Sequence, residues 1–165
     1  MQEFYYQYME DGNVCVIGYH GDDAEVIIPD RHNGYRITVL YDDLFKGHSE
    51  ITSVRMPDTI TDLGEFVFDG CTNLRHLQLP SELSVMWGYT FVRCGLTEIT
   101  LPDKVQTIPP FAFKDCKNLK KVICGAGMKK IYSWAFGGCE ELTELICAPE
   151  VEVSPDAFNS KELNT

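Results

Sequence analysis

Positive charge is scarce in this sequence: 14 lysines and arginines stand against 25 acidic residues, a formal net charge of -11 at pH 7. That balance repels phosphate backbones and anionic lipid, which argues against nucleic-acid or membrane-surface binding. Long hydrophobic runs are missing as well. No stretch approaches the roughly 18 apolar residues of a membrane span, so membrane insertion is not expected. The opening residues Met1 to Tyr8, MQEFYYQY, have neither the basic start nor the apolar centre of a secretion signal. On these residues alone the expected location is cytoplasmic.

Motifs that carry chemistry are equally wanting. There is no Cys-x-x-Cys pair and no His-Glu-x-x-His,. Gly125-Ala126-Gly127 lacks the Lys-Ser/Thr that follows a phosphate loop,. Asp22-Asp23 and Asp42-Asp43 do not open a spaced calcium loop and read as solvated charges,. His20, His32, His48 and His76 are scattered, and none is placed for a Ser-His-Asp relay,. No catalytic residue, metal ligand or cofactor is assigned, and a non-enzymatic function is expected.

What is present is a period. Phe45, Phe68, Phe91, Phe113, Phe136 and Phe158 follow one another at steps of 22 or 23 residues. Ile37, Ile60, Leu83, Val105, Met128 and Val151 keep the same step, as do Val54, Leu77, Ile99, Val122 and Leu145. Three registers with one step define a repeat protein. In the unit from Leu96, LTEITLPDKVQTIPPFAFKDCKN, Leu96, Ile99 and Leu101 alternate with polar residues like a strand with one buried face. Pro102 ends that strand, because it has no amide to donate. Val105 to Ile108 suits a second short extended piece, and Phe111 to Cys116 one helical or 3₁₀ turn. A unit this small cannot bury its own apolar face, so stacking must build the core: a Phe ladder, an aliphatic ladder on the strands and a Cys ladder.

Cysteine usage fits that core. Cys71, Cys94, Cys116 and Cys139 each fall three places after a ladder Phe, and Cys124 and Cys147 share the inward strand position held elsewhere by Met56, Leu79 and Leu101. With Cys15 the count is seven, an odd number set by the fold period. They read as reduced, buried, small apolar residues. That also points to a reducing compartment.

The unit L-x-x-I-x-L-P…V-x-x-I…A-F-x-x-C-x-x-L resembles the BspA-like subclass of leucine-rich repeats. Residues 96–119 carry it most completely, and the opening GYHGDDAEVIIPDRHNGYRITVL is similar to the way that family begins its arrays. Trp87-Gly88-Tyr89 departs from the Ala-Phe approach, and Gly125 to Gly127 from the Pro-x-x segment. The resemblance implies an α/β leucine-rich-repeat solenoid, mostly short parallel strands with brief helical or 3₁₀ turns. It also implies a bacterial cell-surface setting, a role in adhesion, and a protein or glycan partner.

One domain over 1–165 is expected: a cap hairpin in 1–24 around Asp11-Gly12, repeats over 25–158, and a C-terminal end at 159–165. Phe4, Tyr5, Tyr6, Tyr8 and Tyr19 read as cap packing rather than a sugar platform. Outward strand positions form two stripes, and the candidate partner-binding residues are Arg55, His76, Gln78, Glu98, Thr100, Lys121, Ile123, Glu144 and Ile146. Glu98, Lys121 and Glu144 suit a ladder of alternating charge. Ile123 and Ile146 are apolar where other coils carry Arg, Gln or Thr. They point to recognition, or to self-association through the C-terminal edge. An intracellular scaffold or homotypic assembly unit is the alternative function.

Overall fold

The computed structural model describes residues 1–158; the expected C-terminal end at 159–165 lies outside them. The strands, in chain order, are β1 (Glu3–Tyr8), β2 (Val14–His20), β3 (Glu25–Ile27), β4 (Arg31–His32) and β5 (Tyr35–Leu40). They continue with β6 (Ser53–Arg55), β7 (Asp62–Leu63), β8 (His76–Leu77), β9 (Val85–Met86) and β10 (Glu98–Thr100). The last are β11 (Thr107–Ile108), β12 (Lys121–Ile123), β13 (Lys130–Ile131), β14 (Glu144–Ile146) and β15 (Glu152–Val153).

Each coil contributes one strand to each of two faces. The first face holds two parallel sheets, β3-β6-β8 and β10-β12-β14. The second face holds β2-β5-β7-β9, also parallel, and then β11-β13-β15. Equivalent residues pair in register, as in Ile99↔Val122 and Val122↔Leu145, so the sequence period becomes a stack of like on like. The sandwiched core is one continuous cluster running from Val14 to Ala157.

The Phe ladder is its spine. Rings of Phe45, Phe68, Phe91, Phe113, Phe136 and Phe158 stack at 5.7, 5.2, 5.0, 5.4 and 5.4 Å between centroids. The hairpin β1–β2 closes the first coil and extends the ladder, because Tyr19 meets Phe45 edge-on at 5.2 Å. Phe4 packs on Tyr19 at 5.4 Å and Tyr6 stacks on His32 at 3.8 Å, so these aromatics build the cap. Asn33 and Gly34 both take positive φ, 50° and 84°, in the turn that links β4 to β5.

The arches between the faces differ from the expected helical turn: the described residues contain no helix. From Phe111 to Cys116 the amides alternate. Phe111, Phe113 and Asp115 donate to the carbonyls of Ser133, Ala135 and Gly137 in the next coil, while Ala112, Lys114 and Cys116 donate three residues back. Half the amides are thus spent on stacking, which a continuous helix would not allow. The pattern needs left-handed backbone twice per arch. Asp43, Phe66, Tyr89, Phe111 and Trp134 supply the first position (φ 57° to 61°), and Gly47, Gly70, Arg93, Asp115 and Gly138 the second (φ 55° to 80°).

The glycines of the Gly125 segment also have a steric cause. A Cβ on Gly125 would lie 2.5 Å from the Pro102 carbonyl oxygen, and one on Gly127 closer still to that of Asp103. Successive turns touch there through backbone.

Candidate functional site

The nine residues expected to bind a partner all lie on the first face. Val54, Ile99 and Val122 are buried between them, so the alternation turns their side chains outward,. Arg55, His76 and Gln78 lie on or just beyond the β3-β6-β8 sheet. Glu98, Thr100, Lys121, Ile123, Glu144 and Ile146 lie on the β10-β12-β14 sheet. Lys121 reaches Glu144 at 3.9 Å, which makes one step of the expected charge ladder. Thr100, Ile123 and Ile146 form a register row, and Ile146, on β14, is 48% exposed.

The second face carries a feature the sequence reading passed over. Just past the short strands, Tyr41, Gly64, Trp87, Pro109 and Tyr132 occupy one row of successive coils, as their backbone bonds to the preceding coil show for Gly64, Trp87 and Tyr132. Tyr41, Trp87 and Tyr132 are 53%, 54% and 36% exposed. Two residues further along is a second row, in which Phe66, Tyr89, Phe111 and Trp134 stack at 4.8, 4.9 and 6.3 Å. These four rings are half-buried. Each sits on left-handed backbone, a conformation that costs on the order of 1–3 kcal/mol for a residue with a side chain. Seven aromatic side chains therefore line one face. Lysines already use two of them: Lys46 lies 4.8 Å over Phe66, and Lys130 lies 4.7 Å over Tyr132.

The second row was detectable. An aromatic residue stands two places before each of Phe68, Phe91, Phe113 and Phe136. The first row had no such signal, because Gly64 and Pro109 interrupt it and the strands leading to it are only two residues long in most coils.

The gap at Gly64 opens a cleft of about 370 Å³ walled by Tyr41 and Trp87, with Asp42, Asp62 and Glu65 around it. A Cβ at Gly64 would come within 2.7 Å of the Asp42 backbone nitrogen. The Asp42 carboxylate accepts a hydrogen bond from the Glu65 amide at 2.8 Å, and that of Asp62 accepts one from the Thr61 hydroxyl at 2.7 Å. The cleft is strongly negative. Behind it, burial and then the charges of Asp42 and Asp62 push the Cys15 thiol up to about 11.

The remaining cysteines divide into two groups. Cys71, Cys94, Cys116 and Cys139 are buried and free. The thiols of Cys71, Cys116 and Cys139 donate to the carbonyls of Phe45, Phe91 and Phe113 at 2.9 to 3.1 Å. Burial drives the Cys94 thiol up to about 12 and pushes those of Cys71 and Cys116 up as well. Cys124 and Cys147 correct the expectation that all seven are reduced: they are half-buried and joined by a disulfide between neighbouring coils, Cα to Cα 5.1 Å. Parallel in-register rungs set these two residues side by side, whereas three of the four arch thiols are engaged with a carbonyl. No group of three or more His, Cys, Asp or Glu side chains converges as a metal site among the described residues.

The chain belongs to the BspA-type leucine-rich repeat family, whose sequence model matches residues 38–164 in six copies. Its structure is similar to that of a leucine-rich repeat protein of T. pallidum, at 25% identity and a TM-score of 0.76, covering 91% of this chain and 82% of the other. A leucine-rich repeat protein of Bacteroides ovatus matches at 23% identity and TM-score 0.68, covering 94% of this chain and 49% of its own. A leucine rich cell surface protein of Faecalibacterium prausnitzii matches at 16% identity and TM-score 0.64, covering 86% and 48%. No curated protein matches the chain. The fold is thus a repeat scaffold of a kind that commonly mediates protein interaction.

Proposed function

We propose that this chain is a non-enzymatic binding module that docks a protein partner on the aromatic second face. The observation that carries the reading is the double row of rings: Tyr41, Trp87 and Tyr132 exposed, with Phe66, Tyr89, Phe111 and Trp134 stacked beside them. Rigid aromatics offer large contact area at little entropic cost, and they are enriched in the energetic centres of interfaces. Four of them are held by left-handed backbone and by stacking on one another, so the contact surface is ordered before a partner arrives,. The acidic balance of -11 favours a neutral or basic partner surface,.

A second reading keeps the first face. Ile146 is exposed beside Ile123 on the β10-β12-β14 sheet, which suits self-association or recognition through that end, in an adhesin-like or a scaffold role. A photo-crosslinking residue placed in turn at Trp87, Tyr132, Gln78 and Ile146 in the source cell separates the readings. Discrete protein adducts from Trp87 and Tyr132 alone are the expected result. Adducts only from Gln78 or Ile146 would move the interface to the first face, and adducts to a second copy from Ile146 would establish homotypic assembly. Crosslinks to glycan, or to nothing at any position, would overturn the protein-docking reading.

A further inference from the structure

The second face solves one problem twice, with different endings. At its C-terminal end Lys130 lies 4.7 Å over the Tyr132 ring and pairs with Glu152 on the neighbouring strand at 3.1 Å. Ring, carboxylate and cation complete one another. At its N-terminal end the outward positions equivalent to Lys130 are Val39, Asp62 and Val85, and those equivalent to Tyr132 are Tyr41, Gly64 and Trp87. Here two rings and the carboxylates of Asp42, Asp62 and Glu65 come together, and among the described residues none of the three carboxylates meets a cation.

The gap between the rings is built rather than left over. Tyr41 and Trp87 are two coils apart, about 9.6 Å at the usual strand spacing, and at the ring position of the coil between them Gly64 has no side chain. Gly64 cannot be replaced without displacing Asp42, whose backbone nitrogen a Cβ would approach to 2.7 Å. Asp42 and Asp62 each commit one oxygen to a neighbour, the Glu65 amide and the Thr61 hydroxyl. That fixes their orientation and leaves the second oxygen of each free.

We infer that the cleft between Tyr41 and Trp87 is an anchor site for an arginine side chain presented by a protein partner. The proposal rests on the reading of this face as a protein-docking surface. A guanidinium is planar, so it lies flat against ring faces, and its fork of donors reaches more than one carboxylate at once. Lysine would satisfy the charge but has no planar face to lay on a ring, and a neutral sugar would leave the negative field of the cleft unused.

The test uses the full chain and N-acetyl-arginine methylamide as probe, followed by the indole N–H resonances of Trp87 and Trp134. Trp134 lies at the other end of the face and serves as internal reference. The expected result is a saturable shift at Trp87 in the millimolar range with Trp134 unmoved. The citrulline analogue, equal in shape but uncharged, leaves Trp87 unshifted, and the lysine analogue binds more weakly. Asp62→Asn weakens arginine binding about tenfold, the effect of losing one charge-assisted contact. Equal shifts with arginine and citrulline, shifts of both indoles together, or no saturable shift overturn the anchor. Because the probe comparison runs on the unaltered protein, a variant that fails to fold does not blunt it. Partner crosslinks at Tyr132 without arginine binding would refute the anchor and leave the docking face standing. Arginine binding without any crosslink would do the reverse.

Discussion

Arg93 reaches back one coil to hold Asp69, its Nε and Nη2 donating to the two carboxylate oxygens at 2.8 and 2.9 Å. The Asp69 side chain is only 2% exposed, and Lys46, at 4.0 Å, is its other cation. Arg93→Ala leaves a buried carboxylate with one distant partner and is expected to cost about 2–3 kcal/mol. The double change to Arg93→Ala with Asp69→Asn should recover part of that loss. Urea unfolding of the parent and the two variants gives the comparison; an Arg93→Ala protein as stable as the parent would show that water satisfies Asp69.

The two aromatic ladders should answer mutation differently. Phe91 is fully buried between Phe68 and Phe113, and Phe91→Ala is expected to cost about 3–5 kcal/mol. Tyr89→Gly gives up two stacks at 4.8 and 4.9 Å, about 0.5–1.5 kcal/mol each. It also relieves left-handed strain of about 1–2 kcal/mol. The net loss should stay near 1 kcal/mol. Thermal midpoints measured side by side decide it, and equal losses would return the outer ladder to a purely structural role.

Thiol chemistry offers a pH-dependent test. Burial holds Cys15 near 11 and Cys94 near 12, against an ordinary value of 9.0. Native protein at pH 8 should therefore alkylate very slowly. Denatured without reductant it should take up five labels, and with reductant seven, because one pair is bonded. The sign of the linkage follows from thiols that stay neutral in the fold but ionise when unfolded. Their contribution is complete below about pH 9 and is lost as pH rises from there through 11 to 12,. An unfolding free energy flat between pH 8 and 11 would contradict it. Cutting the Cys124–Cys147 bond, whose ends are 23 positions apart in sequence, should cost up to about 3 kcal/mol.

Gly64→Ala places a Cβ 2.7 Å from the Asp42 nitrogen and should destabilise by about 1–3 kcal/mol,. Gly88→Ala, whose Cβ meets only the Pro110 carbonyl at 3.2 Å, should cost less. Reversal of that order in a melting experiment would remove the steric basis for the cleft.

The solenoid was legible because its core is periodic. The Phe ladder, the aliphatic rows and the cap hairpin all stand where the spacing put them. The arch was misread as helical because alternation of amides between local and neighbouring acceptors leaves no mark in residue type; Phe111 and Trp134 at positive φ look like any aromatics in sequence. The site was harder. Outward residues on three-residue strands such as β10 can be assigned by alternation, so the first face attracted attention. On the second face the rings lie beyond two-residue strands, where period-two reasoning stops. The bond between Cys124 and Cys147 escaped because spacing reports that two residues stack, and says nothing about which stacked sulfurs are left free to meet.

The alternating amides of the arch have one more consequence. Each coil offers its neighbour the same carbonyls and the same ring face that it receives, so the molecule can change its length only by a whole coil at a time. Deleting 22 or 23 residues between equivalent points, such as Phe68 and Phe91, would rejoin matching surfaces and shorten the body by about 4.8 Å,. A deletion that broke the register of the strands and arches would leave donors facing donors. The chain is graduated like a ruler, and the separation of two side chains on its surface is set by how many divisions lie between them.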